Sequence, residues 1–103
     1  MNKILEFIKS NHFMLRQWDR KIEDKILYKI LPHAKSTNYE KEVVIVKPNF
    51  LKKLNLIKDN HSLVLIKKKR LLLTIFWCKN YSCYLNKDKD TYYQELDHKS
   101  LKK

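Results

Sequence analysis

The sequence predicts a single α+β domain, in which two N-terminal helices pack on a three- to four-stranded antiparallel sheet. Three observations predict this class. The chain has 103 residues, enough for one hydrophobic core and too few for a second domain. Apolar side chains recur at helical spacing up to residue 31, and runs of β-branched and aromatic residues follow from residue 42. Helices that come before a series of consecutive short strands are typical of α+β domains.

The front of the chain carries two amphipathic stretches. Within residues 3–20, apolar side chains recur three and four positions apart, which predicts one helix or two. Asn11 is of the residue type that caps a helix, here one that begins at His12. A second helix is predicted over residues 22–31, with acidic residues in its first turn and Pro32 just past its end.

Four strands are predicted after the helices. Residues 42–47 contain a β-branched run that is typical of a buried strand, and Pro48 ends it. Two further strands cover residues 62–67 and 70–78, and a fourth covers residues 81–85.

The remaining segments are predicted to contain little regular structure. Residues 33–41 and 87–90 are polar and typical of loops, and residues 50–56 favour a short helical turn. Residues 91–103 are predicted to be a frayed or helical tail. We therefore expect one domain over residues 1–103, with its core in about residues 11–86 and a tail over residues 87–103.

The balance of charge is strongly basic. The chain has 23 Lys and Arg against 11 Asp and Glu, a formal net charge of +12. Such a surplus on a small domain predicts attraction to phosphate backbones or anionic membranes, and RNA is the partner we expect. The plainer interpretation stays open, because an A/T-rich genome would produce many lysines regardless of function.

Several cofactor and metal sites are excluded by composition. The chain has no glycine, so it has no glycine-rich phosphate-binding loop. Cys78 and Cys83 are two thiols without a histidine cluster, a set that makes neither a zinc site nor a disulfide framework. No cofactor and no metal are therefore predicted.

No segment of the sequence is predicted to enter a membrane. The longest apolar run, residues 71–78, is far shorter than the roughly 20 residues that a spanning helix needs. Charges at Lys3, Glu6 and Lys9 interrupt the apolar stretch that a signal peptide requires. We expect a cytoplasmic protein with reduced cysteines.

A row of basic residues lies in the first helical stretch. His12, Arg16 and Arg20 are four positions apart, so they lie along one side of a helix. The chain has only three arginines, and two of them are here, which indicates a need for the planar guanidinium that binds phosphate with two hydrogen bonds. The plainer interpretation is a solvated face, in which carboxylates of residues 19–24 pair with the arginines.

This HxxxRxxxR pattern carries a resemblance to a known family. The motif HFMLRQWDRKI at residues 12–22, followed by an amphipathic helix, resembles the opening of small uncharacterised bacterial proteins in the RelE-like toxin superfamily. That superfamily groups barnase-like, EndoU-like, colicin-type and RelE-type ribonucleases. Residues 43–50 are similar to its first strand and turn, and residues 71–77 are similar to its strand with a threonine before an aromatic residue. The resemblance covers about residues 11–86 and implies two helices on an antiparallel sheet.

The resemblance also implies RNA cleavage without a metal. The ribose 2′-OH attacks the adjacent phosphorus in line and leaves a 2′,3′-cyclic phosphate and a 5′-OH. This chemistry needs a base, an acid and cations on the phosphate. His12 is the natural base or acid, because histidine exchanges protons near neutral pH. Arg16 and Arg20 would hold the scissile phosphate, and Thr74 would hydrogen-bond the site from beneath.

Further residues are expected to bind the nucleic acid. Four cations fall at the turn between two predicted strands and could hold flanking phosphates: Lys67, Lys68, Lys69 and Arg70. Tyr81 and Tyr84 could stack on a base or carry a second proton. The plainer interpretations are a solvated hairpin tip for the cations, sheet packing for the tyrosines and a backbone hydrogen bond for Thr74.

Three functions remain open from the sequence. The first is an endoribonuclease toxin held in check by an acidic antitoxin or immunity protein, which would cover the His12 face. The second is a non-catalytic basic module, such as a phage-type inhibitor, that binds nucleic acid or an acidic protein. The third is toxicity through a protein target. The sequence does not define an oligomeric state.

Overall fold

The computed structural model of the protein describes residues 7–35, 37–54, 61–80 and 90–97. These residues form three helices and five strands, joined by turns and one 3-10 turn at Leu31–His33. In chain order the elements are β1 (Ile8–Lys9), α1 (Asn11–Asp19), α2 (Asp24–Ile30), β2 (Lys41–Val46), α3 (Pro48–Lys53), β3 (Ser62–Lys68), β4 (Leu71–Cys78) and β5 (Thr91–Leu96).

The strands form one mixed sheet in the order β1-β4-β3-β2-β5. The central strands β2, β3 and β4 are antiparallel, as the sequence predicted. Each edge strand pairs parallel to its neighbour, β1 with β4 and β5 with β2. The α+β class is therefore confirmed, but the expectation of a purely antiparallel sheet of three or four strands is wrong at both edges.

The strand β5 corrects the expected tail. Residues 91–96 were predicted to be frayed or helical, yet each of them pairs with a residue of β2. Thr91 and Leu96 are buried, so the strand is anchored at both ends. The predicted strand at residues 81–85 lies outside the described residues.

Helix α1 begins at a different cap from the one expected. Ser10, not Asn11, is the N-cap, and its hydroxyl accepts a hydrogen bond from the Phe13 amide at 3.0 Å. Residues 8–9, predicted as helix, form β1 instead. The helix ends at Asp19, and Lys21 then takes a left-handed conformation with φ 56°.

The other two helices are short and placed by their prolines. Helix α2 buries Ile26, Leu27 and Ile30 and runs into the 3-10 turn that contains Pro32. Pro48 opens α3, because the first helical position needs no amide hydrogen. None of the described helices is both long and apolar enough to cross a membrane.

The main core lies between the helices and one face of the sheet. Phe13 of α1 and Leu27 of α2 have no exposed surface and belong to the same apolar cluster as Leu65 and Ile75. A smaller cluster of Val43, Ile45 and Val64 lies on the other face of the sheet. Because β2 is buried on both faces, its residues read as a continuous β-branched run.

Candidate functional site

Two of the residues predicted to be catalytic meet at the start of α1. The His12 Nε2 atom lies 3.2 Å from the Thr74 Oγ1 atom of β4, a hydrogen-bond distance between residues that are 62 positions apart. The His12 side chain is exposed, so a ligand can reach it from solvent. A threonine hydroxyl both donates and accepts, so it can pair with either tautomer of the imidazole.

Ser10 positions this pair. Its hydroxyl donates to the Leu73 carbonyl at 3.1 Å while it caps α1, and its amide donates to the Leu72 carbonyl at 3.0 Å. One side chain thus joins the first turn of α1 to the stretch of β4 just before Thr74. Ser10 was not among the predicted site residues, although a serine two positions before His12 is a signal for a helix cap.

A bulge in the hairpin sets the position of Thr74. Ile66 pairs with Thr74, but the next residue, Lys67, pairs with Leu72, so Leu73 is an extra residue in β4. Such a bulge changes the direction of the strand and the exposure of its side chains. The Leu73 carbonyl is the group that Ser10 binds, so the bulge also provides the link to α1.

A second set of contacts holds α1 in its orientation. The Asp24 Oδ1 atom accepts hydrogen bonds from the Gln17 amide nitrogen and the Lys9 ammonium, both at 2.6 Å. The Lys9 hydrogen bond, and then that of Gln17, lowers the pKa of Asp24. Since these residues belong to β1, α1 and α2, the carboxylate joins three elements around the buried side of α1.

The two predicted arginines have no carboxylate partner among the described residues. Arg16 is one helical turn after His12 and half-exposed, while Arg20 is exposed at the C-cap, just past the end of α1. No carboxylate in residues 7–35, 37–54, 61–80 or 90–97 lies within ion-pair distance of either guanidinium. Asp24 and Glu23, which the plainer interpretation offered as partners, pair with lysines instead.

The helix terminus adds to the attraction for an anion. Asn11 and His12 are the first two residues of the nine-residue α1, and amides at this position have no acceptor within the helix. The helix dipole places partial positive charge at the same end. The exposed His12 side chain therefore lies at the end of α1 where negative charge is favoured, one helical turn before Arg16.

Lys67 corrects the predicted set of phosphate-binding cations. Its side chain is 1% exposed, and its ammonium lies 2.8 Å from a carboxylate oxygen of Glu42, which is equally buried. The ammonium also donates to the backbone carbonyls of Lys35 and Lys69. With its charge and its hydrogen atoms used inside the protein, Lys67 has a structural role and does not reach a ligand.

The other three cations of the hairpin tip are exposed. Lys68 lies 3.3 Å from a carboxylate oxygen of Glu40, while Lys69 and Arg70 make no ion pair within the described part of the chain. Arg70 lies in the turn four residues before Thr74, and the extra residue Leu73 shortens the strand between them. Tyr81 and Tyr84 lie outside the described residues.

The described residues do not assemble a metal-binding group. No cluster of three or more His, Cys, Asp or Glu side chains suited to a metal ion occurs among them. Cys78 is a half-buried free thiol on β4, and Cys83 falls outside the described ranges.

Comparisons with known proteins give no relative for this chain. No family model, no curated protein and no solved structure matches it. The similarity to the RelE-like superfamily therefore stays a prediction, and function has to be inferred from the geometry around His12.

Proposed function

We propose that the protein is an endoribonuclease of the toxin kind, which cleaves RNA at the His12–Thr74 pair by attack of the ribose 2′-OH and without a metal ion. The observation that carries the proposal is the 3.2 Å contact between His12 and Thr74. Arg16 and Arg20 follow His12 along α1 and at its C-cap, and neither has an ion-pair partner in the described residues. An exposed imidazole, fixed by one hydrogen bond and flanked by cations, provides a proton acceptor beside a phosphate-binding surface.

The contact with Thr74 occupies the Nε2 atom of His12 and leaves the Nδ1 atom for the substrate. When the Nε2–H group donates to the Thr74 hydroxyl, the Nδ1 atom carries the lone pair. Nδ1 then takes the proton of the 2′-OH as its oxygen bonds to phosphorus. The bond from phosphorus to the 5′-oxygen breaks, and this oxygen takes a proton from water at the exposed site. The products are a 2′,3′-cyclic phosphate and a 5′-OH.

The cations stabilise the charge that develops on the phosphate. Arg16 and the first amides of α1 lie on the side of His12, and Arg20 extends the basic surface beyond the helix. Donors that are fixed before the reaction stabilise a transition state more effectively than mobile water does. Lys69 and Arg70 at the hairpin tip would bind flanking phosphates.

A first experiment tests cleavage on cellular RNA. Purified protein is incubated with total RNA in excess EDTA, beside a His12→Gln variant and an Asn11→Ala control from the same helical turn. We expect discrete fragments with cyclic phosphate ends from the wild type and the control, and a loss of about 100-fold or more in His12→Gln. Equal cleavage by His12→Gln would refute the proposed site.

The second candidate is a basic module that binds RNA without cleaving it. The net charge of +12 favours it. It is also favoured by the described part of the chain, in which His12 is hydrogen-bonded to Thr74 and not to a second acid or base. RNA that stays intact but shifts on a native gel would establish this function instead. In that case changes at Arg16 and Arg20 would weaken binding, and His12→Gln would not.

A ribonuclease in its own cytoplasm needs an inhibitor. An acidic antitoxin or immunity protein would complement the surface of His12, Arg16 and Arg20, where the described residues leave positive charge unpaired. Such a partner would exclude RNA by covering the same cations.

A further inference from the structure

The side of α1 that faces away from the sheet carries exposed apolar side chains. Trp18 is 79% exposed, Leu15 is 55% exposed and Met14 is 47% exposed. The opposite side of the helix buries Phe13 and Gln17. A tryptophan this exposed offers both a large apolar surface and a π-face for a ligand.

Trp18 also lines a cleft of about 360 Å³. Its other lining residues are Gln17, Lys21, Ile22 and Glu23. This volume lies near the lower end of the range for small-ligand sites, which is roughly 300–1,000 Å³. An aromatic ring, an apolar wall and a lysine in one cleft are the features that hold an unpaired base together with its phosphate.

The charges around the cleft favour a polyanion. Lys21 is exposed and has no ion-pair partner in the described ranges, as is the case for Arg16 and Arg20. Glu23, the acidic residue of the cleft, pairs with Lys25 at 3.5 Å. A single-stranded nucleic acid matches an aromatic surface surrounded by cations of this kind, because it presents flat bases and a phosphate at every step.

We propose that Trp18 and Lys21 form a subsite for single-stranded RNA, in which an unpaired base stacks on Trp18 and Lys21 binds its phosphate. This inference rests on the proposed function, since it takes RNA as the ligand of the His12 surface. Trp18 follows His12 by six residues, which places it about 9 Å farther along the helix axis and about 120° around it. A single strand several nucleotides long that is bound at Trp18 can therefore extend around α1 toward His12.

The test uses a short 2′-O-methyl RNA, which cannot be cleaved because it has no free 2′-OH. The affinity of each protein for this RNA, as a single strand and as a duplex, is measured by fluorescence anisotropy. The proteins compared are the wild type, Trp18→Ala, Trp18→Phe and Tyr28→Ala.

Tyr28 is a control because it is an exposed aromatic residue on α2. Trp18→Ala should lower single-strand affinity about 5- to 30-fold, while Trp18→Phe and Tyr28→Ala should stay within about threefold. Duplex affinity should not depend on Trp18.

Tryptophan emission gives an independent readout. Trp77 packs against the core, so the difference between the wild type and Trp18→Phe reports Trp18. Quenching of that difference signal by the single strand, but not by the duplex, would support stacking.

The outcomes separate this subsite from the proposed function. Equal RNA affinity of the wild type and Trp18→Ala, with RNA still cleaved, would overturn the subsite alone. No RNA binding even at low salt would overturn both proposals. Self-association of the wild type that Trp18→Ala abolishes, with RNA affinity unchanged, would show that this face is a protein interface and would also overturn the subsite.

Discussion

At the residue scale, the contact between His12 and Thr74 is the feature on which the proposed cleavage depends. In the proposed mechanism Thr74 need not touch RNA, because its hydroxyl holds the imidazole in one orientation. In this proposal Thr74 is a positioning residue, and His12 would be the catalytic one. The two roles differ in what a substitution should change.

Removal of the Thr74 hydroxyl should slow cleavage without weakening RNA binding. We expect Thr74→Val to lower the cleavage rate about 2- to 10-fold, the contribution of one hydrogen bond, and Thr74→Ser to restore it. RNA affinity should stay the same in both variants. The rates are measured with RNA in excess over the dissociation constant, and a Thr74→Ser variant as slow as Thr74→Val would contradict the hydroxyl's role.

Asp24 should make the stability of the fold depend on pH. The hydrogen bonds from Lys9, first, and Gln17 hold the pKa of Asp24 below its ordinary value of 3.8. A lowered pKa in the folded state stabilises the fold above the unfolded value, and this stabilisation is lost as the pH falls through the folded value. Asp24→Asn should therefore cost about 0.5–1 kcal/mol at neutral pH, because the carboxylate is half-exposed, and less under acidic conditions. Urea unfolding of the wild type and Asp24→Asn over a series of pH values measures this difference in the free energy of unfolding. A difference that does not change with pH would refute the lowered pKa of Asp24.

The residues of the site were predictable to different degrees. His12, Arg16 and Arg20 have a regular spacing along the chain, and this spacing alone marks one side of a helix. The burial of Lys67 was not predictable, because it depends on Glu42, 25 positions away, and no local pattern marks that pairing. Lys67, Lys68 and Lys69 are consecutive lysines, so the sequence does not distinguish them. Only the tertiary contacts of Lys67 show that it is buried.

At the scale of elements, the long apolar segments were predictable and the two edge strands were not. Helix α2 repeats apolar residues at helical spacing, and strands β2 to β4 contain continuous apolar runs that are typical of buried strands. Strand β1 has two residues, too few for any period. Strand β5 is half-exposed and polar in part, and its parallel pairing with β2 is a non-local contact that its own sequence does not encode.

The burial of Leu96 tests whether β5 belongs to the sheet. This side chain is 2% exposed and lies in the main core cluster, so Leu96→Ala should lower the free energy of unfolding by about 2–5 kcal/mol. Glu95→Ala removes an exposed ion pair with Lys47 and should cost about 1 kcal/mol or less. Urea denaturation of both variants decides the matter. Equal stability of Leu96→Ala and the wild type would mean that residues 91–96 are a tail after all.

At the scale of the whole molecule, the net charge of +12 should appear as a steep dependence of RNA binding on salt. The surface that we assign to RNA lies along α1 and the tip of the β3–β4 hairpin. Helix α3 follows the C-terminal end of β2. Glu42, which pairs with Lys67 beside the hairpin tip, lies near the N-terminal end of β2. Cations of these two regions should therefore contribute differently.

Replacement of one cation in each region tests this assignment. For single strands, each contacted phosphate contributes about 0.7 to the slope of log affinity against log salt. Arg70→Gln should reduce the slope by about that amount, while Lys53→Gln on α3 should leave it unchanged. Filter-binding titrations over a series of salt concentrations provide the slopes. Equal reductions by both variants would show that binding follows total charge and not a defined surface.

The proposed reaction is attack of a ribose 2′-OH that depends on His12. An oligonucleotide of 2′-O-methyl nucleotides with one internal ribonucleotide tests it, incubated with the wild type or His12→Gln in excess EDTA. We expect a single cut, after that ribonucleotide, with a 2′,3′-cyclic phosphate end, by the wild type and not by His12→Gln. An oligonucleotide that is bound but stays intact, or a cut that persists when the ribonucleotide is replaced by its 2′-deoxy form, would contradict it.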